Sequence, residues 1–186
     1  MRSILYDVAV SIDGFIAGPG NTPAETIQHF VGEGEHVADY QARLQTCDTA
    51  LMGRSTYEFG YAFGLEPGRA AYPHMQNIVF SASMREPQKR DANFTLVRSD
   101  TLGFVRELRA QDGGDIYLCG GGELAGNLLR AGLIQRLVLK LNPIVLGSGI
   151  RLFGSQPVAP EVMQLRSTTR YDSGVVLLEY DLTASG

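Results

Sequence analysis

The sequence predicts an α/β fold: a central, mostly parallel mixed sheet with flanking helices and a C-terminal antiparallel hairpin. Three observations carry this reading. Short β-branched and aromatic runs alternate with stretches of helical period along most of the chain. Two of those runs end in glycine just before a helical stretch begins. The last two runs flank Asp172, Ser173 and Gly174, as the strands of a hairpin flank their turn. Alternating strands and helices need crossover connections, which give parallel strands covered on both faces. With 186 residues, 44% of them hydrophobic, the chain can bury one sizeable core, so residues 1–186 are read as a single domain.

Each element has its own local signal. "SILYDVAVSI" is a strand stopped by Asp13-Gly14, and "GPGNTP" is punctuation. In "EHVADYQARLQTC" the residues Val37, Tyr40 and Leu44 share a helix face, and "DTALMG" is a short apolar strand. "RSTYEFGYAF" begins another helix, "NIVFSAS" is a strand, and the polar "PQKRDANF" leads to "TLVRS". A helix follows with Asp100 or Ser99 as N-cap and Leu102, Val105 and Leu108 or Arg109 as its periodic residues. "DIYLC" is a strand, and Leu124, Leu128 and Leu129 mark a helix with Gly132 as its C-terminal signal. "LIQRLVLKLNPIVLG" reads as mostly strand before the hairpin.

Composition removes several function classes. The net charge is −4 and the basic residues are scattered, so no footprint for nucleic acid or an anionic membrane is expected. Cys47 and Cys119 lie far apart in apolar surroundings, as reduced thiols of a cytoplasmic protein do. No export signal and no membrane-spanning run is visible. His29, His36 and His74 lack metal-ligand spacing and read as surface residues, so no metal is expected.

The chemistry-bearing positions are the glycine junctions. "DIYLCGGGELAGNLL" runs from a strand through Gly120, Gly121 and Gly122 into a helix, where bare backbone lets a ligand or another segment approach and free N–H groups attract anions. A phosphate site and a tight packing turn fit that stretch equally well. "TALMGRSTYEF" repeats the pattern with Gly53, Arg54, Ser55 and Thr56; an arginine fork and hydroxyls at a helix start suit phosphate oxygens. "NIVFSAS" ends a third strand on small hydroxyl residues. In an open parallel sheet such ends face one crevice, where ligands bind.

In this order and spacing, "ILYDVAVSIDGFIAG", "ALMGRSTYE", "NIVFSAS" and "IYLCGGGELAGNLL" resemble the dihydrofolate reductase-like fold. "SIDGFIA" and "PIVLGSGIRLF" are closer to the reductase domain of the bifunctional riboflavin-biosynthesis deaminase/reductase and its stand-alone bacterial relatives. The resemblance spans roughly residues 2–182, and the zinc motif of the deaminase half is absent. It implies an NADPH-dependent oxidoreductase acting on a small heterocyclic or ribosylamino substrate, and a homodimer. By the same resemblance, Gly53, Arg54, Ser55, Thr56 and Ser81 would hold the adenosine phosphate and pyrophosphate. Gly120, Gly121 and Gly122, the run that carries a cis peptide in dihydrofolate reductase, would lie under the diphosphate with Glu123, Leu124 and Ala125. Ala9, Ile16 and Ala17 would contact the nicotinamide, and Asp13-Gly14 would head a mobile loop over it. For the proton donor, the resemblance directs attention to a carboxylate on the first helix, here Glu35 or Asp39, and Asp13 and Lys140 are the other polar candidates. Arg151 would meet an anionic substrate. The alternative is a non-catalytic nicotinamide-nucleotide-binding or sensing protein.

Overall fold

The computed structural model describes residues 1–182. The strands are β1 (Ile4–Ser11), β2 (Phe15–Ala17), β3 (Cys47–Gly53), β4 (Gln76–Phe80), β5 (Phe94–Val97), β6 (Asp115–Gly120), β7 (Arg136–Asn142), β8 (Ile150–Arg151), β9 (Met163–Arg170) and β10 (Val176–Leu182). The helices are α1 (Pro23–Ile27), α2 (Glu35–Leu44), α3 (Arg54–Phe59), α4 (Thr101–Ala110) and α5 (Gly122–Arg130). Eight strands form one sheet in the order β5-β4-β3-β6-β1-β7-β10-β9, parallel as far as β7 and antiparallel through the β10–β9 hairpin. This is the dihydrofolate reductase-like arrangement that the sequence predicts.

Strand alternation divides the core into two layers. Ile4, Tyr6, Leu51, Ile116 and Leu118 pack with Val105 and Leu108 of α4 and Leu124, Leu128 and Leu129 of α5. On the opposite face, Leu5, Ala50, Met52, Tyr117 and Val138 pack with Leu44 of α2 and Tyr57 of α3. Asp100 caps α4 through its carboxylate on the Gly103 N–H, 3.0 Å away, and satisfies one of the donors that a helix start leaves free.

Four local expectations are corrected. "GPGNTP" is more than punctuation: its Thr22 forms a reciprocal capping box with Glu25, and its Pro23 is the first residue of α1. β7 ends at Asn142, and Pro143 through Gly149 is loop, since proline supplies no N–H to continue a ladder. His36 is 3% exposed, with Nε2 3.0 Å from the Val31 carbonyl, because it shares the buried face of α2 with Tyr40 and Leu44. The "FIA" segment expected in a loop is strand β2, paired antiparallel with β8. Among the described residues no helix is long and apolar enough to cross a membrane.

Candidate functional site

Strands β1, β3, β4 and β6 run parallel and bring Ser11, Gly53, Phe80 and Gly120 to the same edge of the sheet. Two helices start there. α3 follows Gly53 and α5 follows Gly121, and neither start is capped by a side chain. A Cβ on Gly53 would lie 3.9 Å from the Gly121 nitrogen, and a Cβ on Gly121 would lie 3.2 Å from Thr56 Oγ1. Gly120 has φ +118°, a left-handed conformation that favours glycine, and the peptide joining it to Gly121 is cis. The result is a cradle of bare backbone between two uncapped helix starts, an arrangement suited to phosphate oxygens.

Not all of the glycine run lines that cradle. A Cβ on Gly122 would collide with the Arg151 carbonyl, and one on Gly126 with the Phe153 carbonyl. These two glycines let the segment 151–155 cross directly over α5. Tyr6 Oη donates to the Leu152 carbonyl at 3.0 Å, and the Leu152 N–H donates to the Gly14 carbonyl at 3.0 Å, which fixes the strap to β1 and its turn. Glu123 belongs to the strap and not to the cradle. Its Oε1 accepts from both the Ser155 N–H and hydroxyl at 2.7 Å, which holds its carboxyl below the usual range. Leu124 and Ala125 are buried in the core, so at most their backbone could serve a ligand.

Arg54 stands at the rim. Its Nε donates to Glu58 Oε1 at 2.8 Å and its Nη1 to Ser83 Oγ at 3.2 Å, so the guanidinium reaches from α3 to the turn after β4. Ser81 Oγ is occupied in that turn, accepting from the Met84 N–H at 2.9 Å. Ser83 was not among the expected residues, although "SAS" placed it two positions from one that was. Ser55 is exposed beside Arg54.

The four candidate proton donors part company. Asp13 accepts from Ser11 Oγ at 2.6 Å and from the Leu146 and Gly147 N–H groups at 3.0 and 2.7 Å. The Ser11 hydroxyl, then these backbone donors, hold it down at about 2, so it is an ionised pin for the 143–149 loop and not an acid. Glu35 is exposed at the first position of α2. Asp39 accepts from Tyr171 Oη at 2.6 Å, tying α2 to the hairpin. Lys140 alone turns inward: it is 9% exposed, and its Nζ donates to Asp7 Oδ1 at 2.7 Å. Arg151 is exposed over the Phe15 ring, 5.4 Å from its centroid.

Asp7 was missed, because a lone acid inside an apolar strand carries no sign of its partner. It is 1% exposed and also accepts from Arg43 Nε at 2.8 Å. Lys140 Nζ lies 3.6 Å from the centroid of the Tyr40 ring, whose hydroxyl is 2.7 Å from Tyr117 Oη. Lys140 is the register partner of Ala9, which is half-buried beside it, so the ion pair adjoins the strand expected to meet the nicotinamide. β2 carries Ile16, half-buried, and Ala17, buried against β8. Among the described residues no group of three or more His, Cys, Asp or Glu is placed to hold a metal ion.

Comparison with known proteins agrees with this architecture. The chain is 29% identical over 176 residues to the uncharacterised protein YwjB of Bacillus subtilis, covering 95% of each chain. It is 27% identical over 185 residues to the uncharacterised YyaP of the same organism, covering 96% of this chain and 94% of YyaP. A solved structure from Shewanella sp. PV-4, assigned to riboflavin biosynthesis, superposes with TM-score 0.79 at 23% identity, covering 98% of this chain and 99% of that one. The Thermotoga maritima diaminohydroxyphosphoribosylaminopyrimidine deaminase/5-amino-6-(5-phosphoribosylamino)uracil reductase superposes with TM-score 0.68 at 15% identity; the match covers 98% of this chain and 57% of the bifunctional protein. Residues 2–177 match the RibD C-terminal domain, and the chain belongs to that family.

Proposed function

We propose that the protein is an NADPH-dependent reductase of a small heterocyclic or ribosylamino substrate. The observation that carries this reading is the cradle formed by Gly53 and Thr56 against Gly120 and Gly121, at the edge of the sheet where two helices start uncapped. Backbone N–H groups of both helix starts and the Thr56 hydroxyl would hold the diphosphate, while Arg54 with Ser83 would take the 2′-phosphate. Ala9 and the β2 backbone would bound the nicotinamide. When bound, NADPH supplies the hydride, and the chain's part is to orient the reactants and exclude water. The uracil reductase named among the structural neighbours supplies a first substrate to try. The same reading carries a homodimer in the cytoplasm.

A second reading, binding without chemistry, is favoured by the carboxylates: Asp13 is an ionised pin, Asp39 is engaged by Tyr171, and Glu35 is exposed. Calorimetric titration with NADPH, NADH and FMN, followed by transfer of deuteride from labelled NADPH to 5-amino-6-(5-phosphoribosylamino)uracil and other glycosylamines that open to imines, separates the two. Micromolar NADPH binding, about −8 kcal/mol, with deuterium in a product supports the reductase. Binding with no transfer supports the second reading, and absence of nicotinamide binding excludes both.

A further inference from the structure

We propose that Lys140 is the proton donor of the reduction, with Asp7 and Arg43 as positioning residues that set its charge. The inference rests on the reductase reading and replaces the helix carboxylate with a strand ammonium.

Four observations carry it. First, Lys140 is the inward-facing candidate, and it pairs in register with Ala9 on β1. Register partners of parallel strands point to the same face, so the Lys140 chain and the Ala9 methyl share a side. Second, the geometry is arranged for an ammonium. Asp7 Oδ1 takes one N–H at 2.7 Å and the Tyr40 ring faces Nζ at 3.6 Å. Among the described residues no other acceptor bonds Nζ, which leaves a donor for a ligand atom.

Third, the charges around Asp7 do not balance. One buried carboxylate serves two cations, and Arg43 Nη2 is buried with no hydrogen-bond partner among the described residues. The second cation disfavours the charged form of the lysine, and burial acts in the same direction. Burial, opposed by Asp7, holds the Lys140 ammonium below its ordinary range. The groups that face this set are Asp7 from β1, Tyr40 and Arg43 from α2, Tyr72 from the segment before β4, Tyr117 and Cys119 from β6, and Tyr171 and Glu179 from the hairpin side toward Arg43. Fourth, the residue type is selective. Of the 16 basic residues only Lys89 and Lys140 are lysines. Arginine would serve a permanent buried ion pair with Asp7; a lysine is the cation that can release a proton and take it back.

The balanced step follows. The carbon of the substrate C=N or C=O accepts the hydride that NADPH supplies. The π pair moves to the heteroatom, which takes a proton from Lys140 Nζ. The neutral amine, still beside Asp7, regains a proton from water.

The test uses the intact protein with lysine-selective isotope labelling, in which Lys89 is an exposed internal control. NADPH should shift the Lys140 signal and leave Lys89 unmoved, and Lys140 should titrate below the ordinary lysine range. Asp7→Asn should lower the Lys140 midpoint further and Arg43→Gln should raise it; a merely structural role predicts the same shifts but no matching movement of the rate profile. In turnover of the phosphoribosylaminouracil, Lys140→Met should slow single-turnover hydride transfer at least 100-fold with NADPH affinity changed less than threefold. The alkaline limb of the rate profile should move with the midpoint in both neighbour variants. Normal hydride transfer by a folded Lys140→Met, or NADPH binding that leaves the Lys140 signal and its titration indifferent to both neighbour substitutions, overturns the inference while the cofactor reading stands. A wild-type chain that binds no NADPH overturns both.

Discussion

Gly121 lies against Thr56: a Cβ added to the glycine would come 3.2 Å from the threonine Oγ1. That distance is tight but not a collision, so Gly121→Ala should fold while filling the floor of the cradle. The expected outcome is NADPH affinity weakened about tenfold, roughly 1.4 kcal/mol, with Tm changed by only a few degrees. Calorimetry and a thermal melt on the same preparation check it. Unchanged affinity would remove Gly121 from the cofactor site.

Arg54 gives a prediction about selectivity. Its pairs with Glu58 and Ser83 are exposed, so their loss costs little stability. A charge-assisted contact to a 2′-phosphate is a stronger bond, and only NADPH offers one. Arg54→Ala should weaken NADPH about tenfold or more and NADH less than twofold. Equal losses in parallel titrations would place Arg54 elsewhere on the nucleotide or off it.

The strap over α5 depends on two absent side chains. Gly126→Ala would drive a methyl group into the Phe153 carbonyl, and either the strap or the helix must move. Overpacking of this kind costs about 2 kcal/mol. In a chain of this size that is roughly 4–8 °C in Tm. An unchanged melt would show that the strap is not held against the helix in solution.

Asp13 makes stability fall in acid. Its folded value is depressed to about 2 from an ordinary 3.8, so its contribution is complete above the ordinary value and is lost as pH falls through about 2. Between pH 5 and 2 the Tm of the wild-type protein should therefore fall more steeply than that of Asp13→Asn. Parallel curves would show that the carboxylate does not pin the 143–149 loop.

The strand, glycine and helix junctions were legible because their signals are local. A β-branched run followed by Gly53 or by Gly120 through Gly122 announces a strand end whatever lies across the sheet. The roles within the run were less legible. Gly121 faces Thr56, whereas Gly122 faces the Arg151 carbonyl, and only the crossing of a distant strap separates the two. Glu123 read as a helix-start acid near a pyrophosphate, yet Ser155 claims its carboxylate. Asp7 and Lys140 each sat visibly in an apolar strand, but the pairing of β1 with β7 that joins them is a property of the whole sheet. His36 could have been placed: it precedes Tyr40 and Leu44 by one and two turns on the same face of α2.

The position of β1 in the sheet governs how the protein can come into being. It is made first, yet it pairs with β6 through Ile4 and Ile116 and with β7 through Leu5 and Arg136. On the ribosome, β3, β4 and β5 with their helices emerge before either neighbour of β1 exists. The first strand, with apolar residues on both faces, therefore remains without its partners until residues 115–142 are synthesised. Long-range pairing of this kind makes folding slow and leaves sticky surface uncovered meanwhile. Chains terminated before residue 115 should consequently be insoluble or chaperone-bound, whereas extension through β7 lets the central strands close.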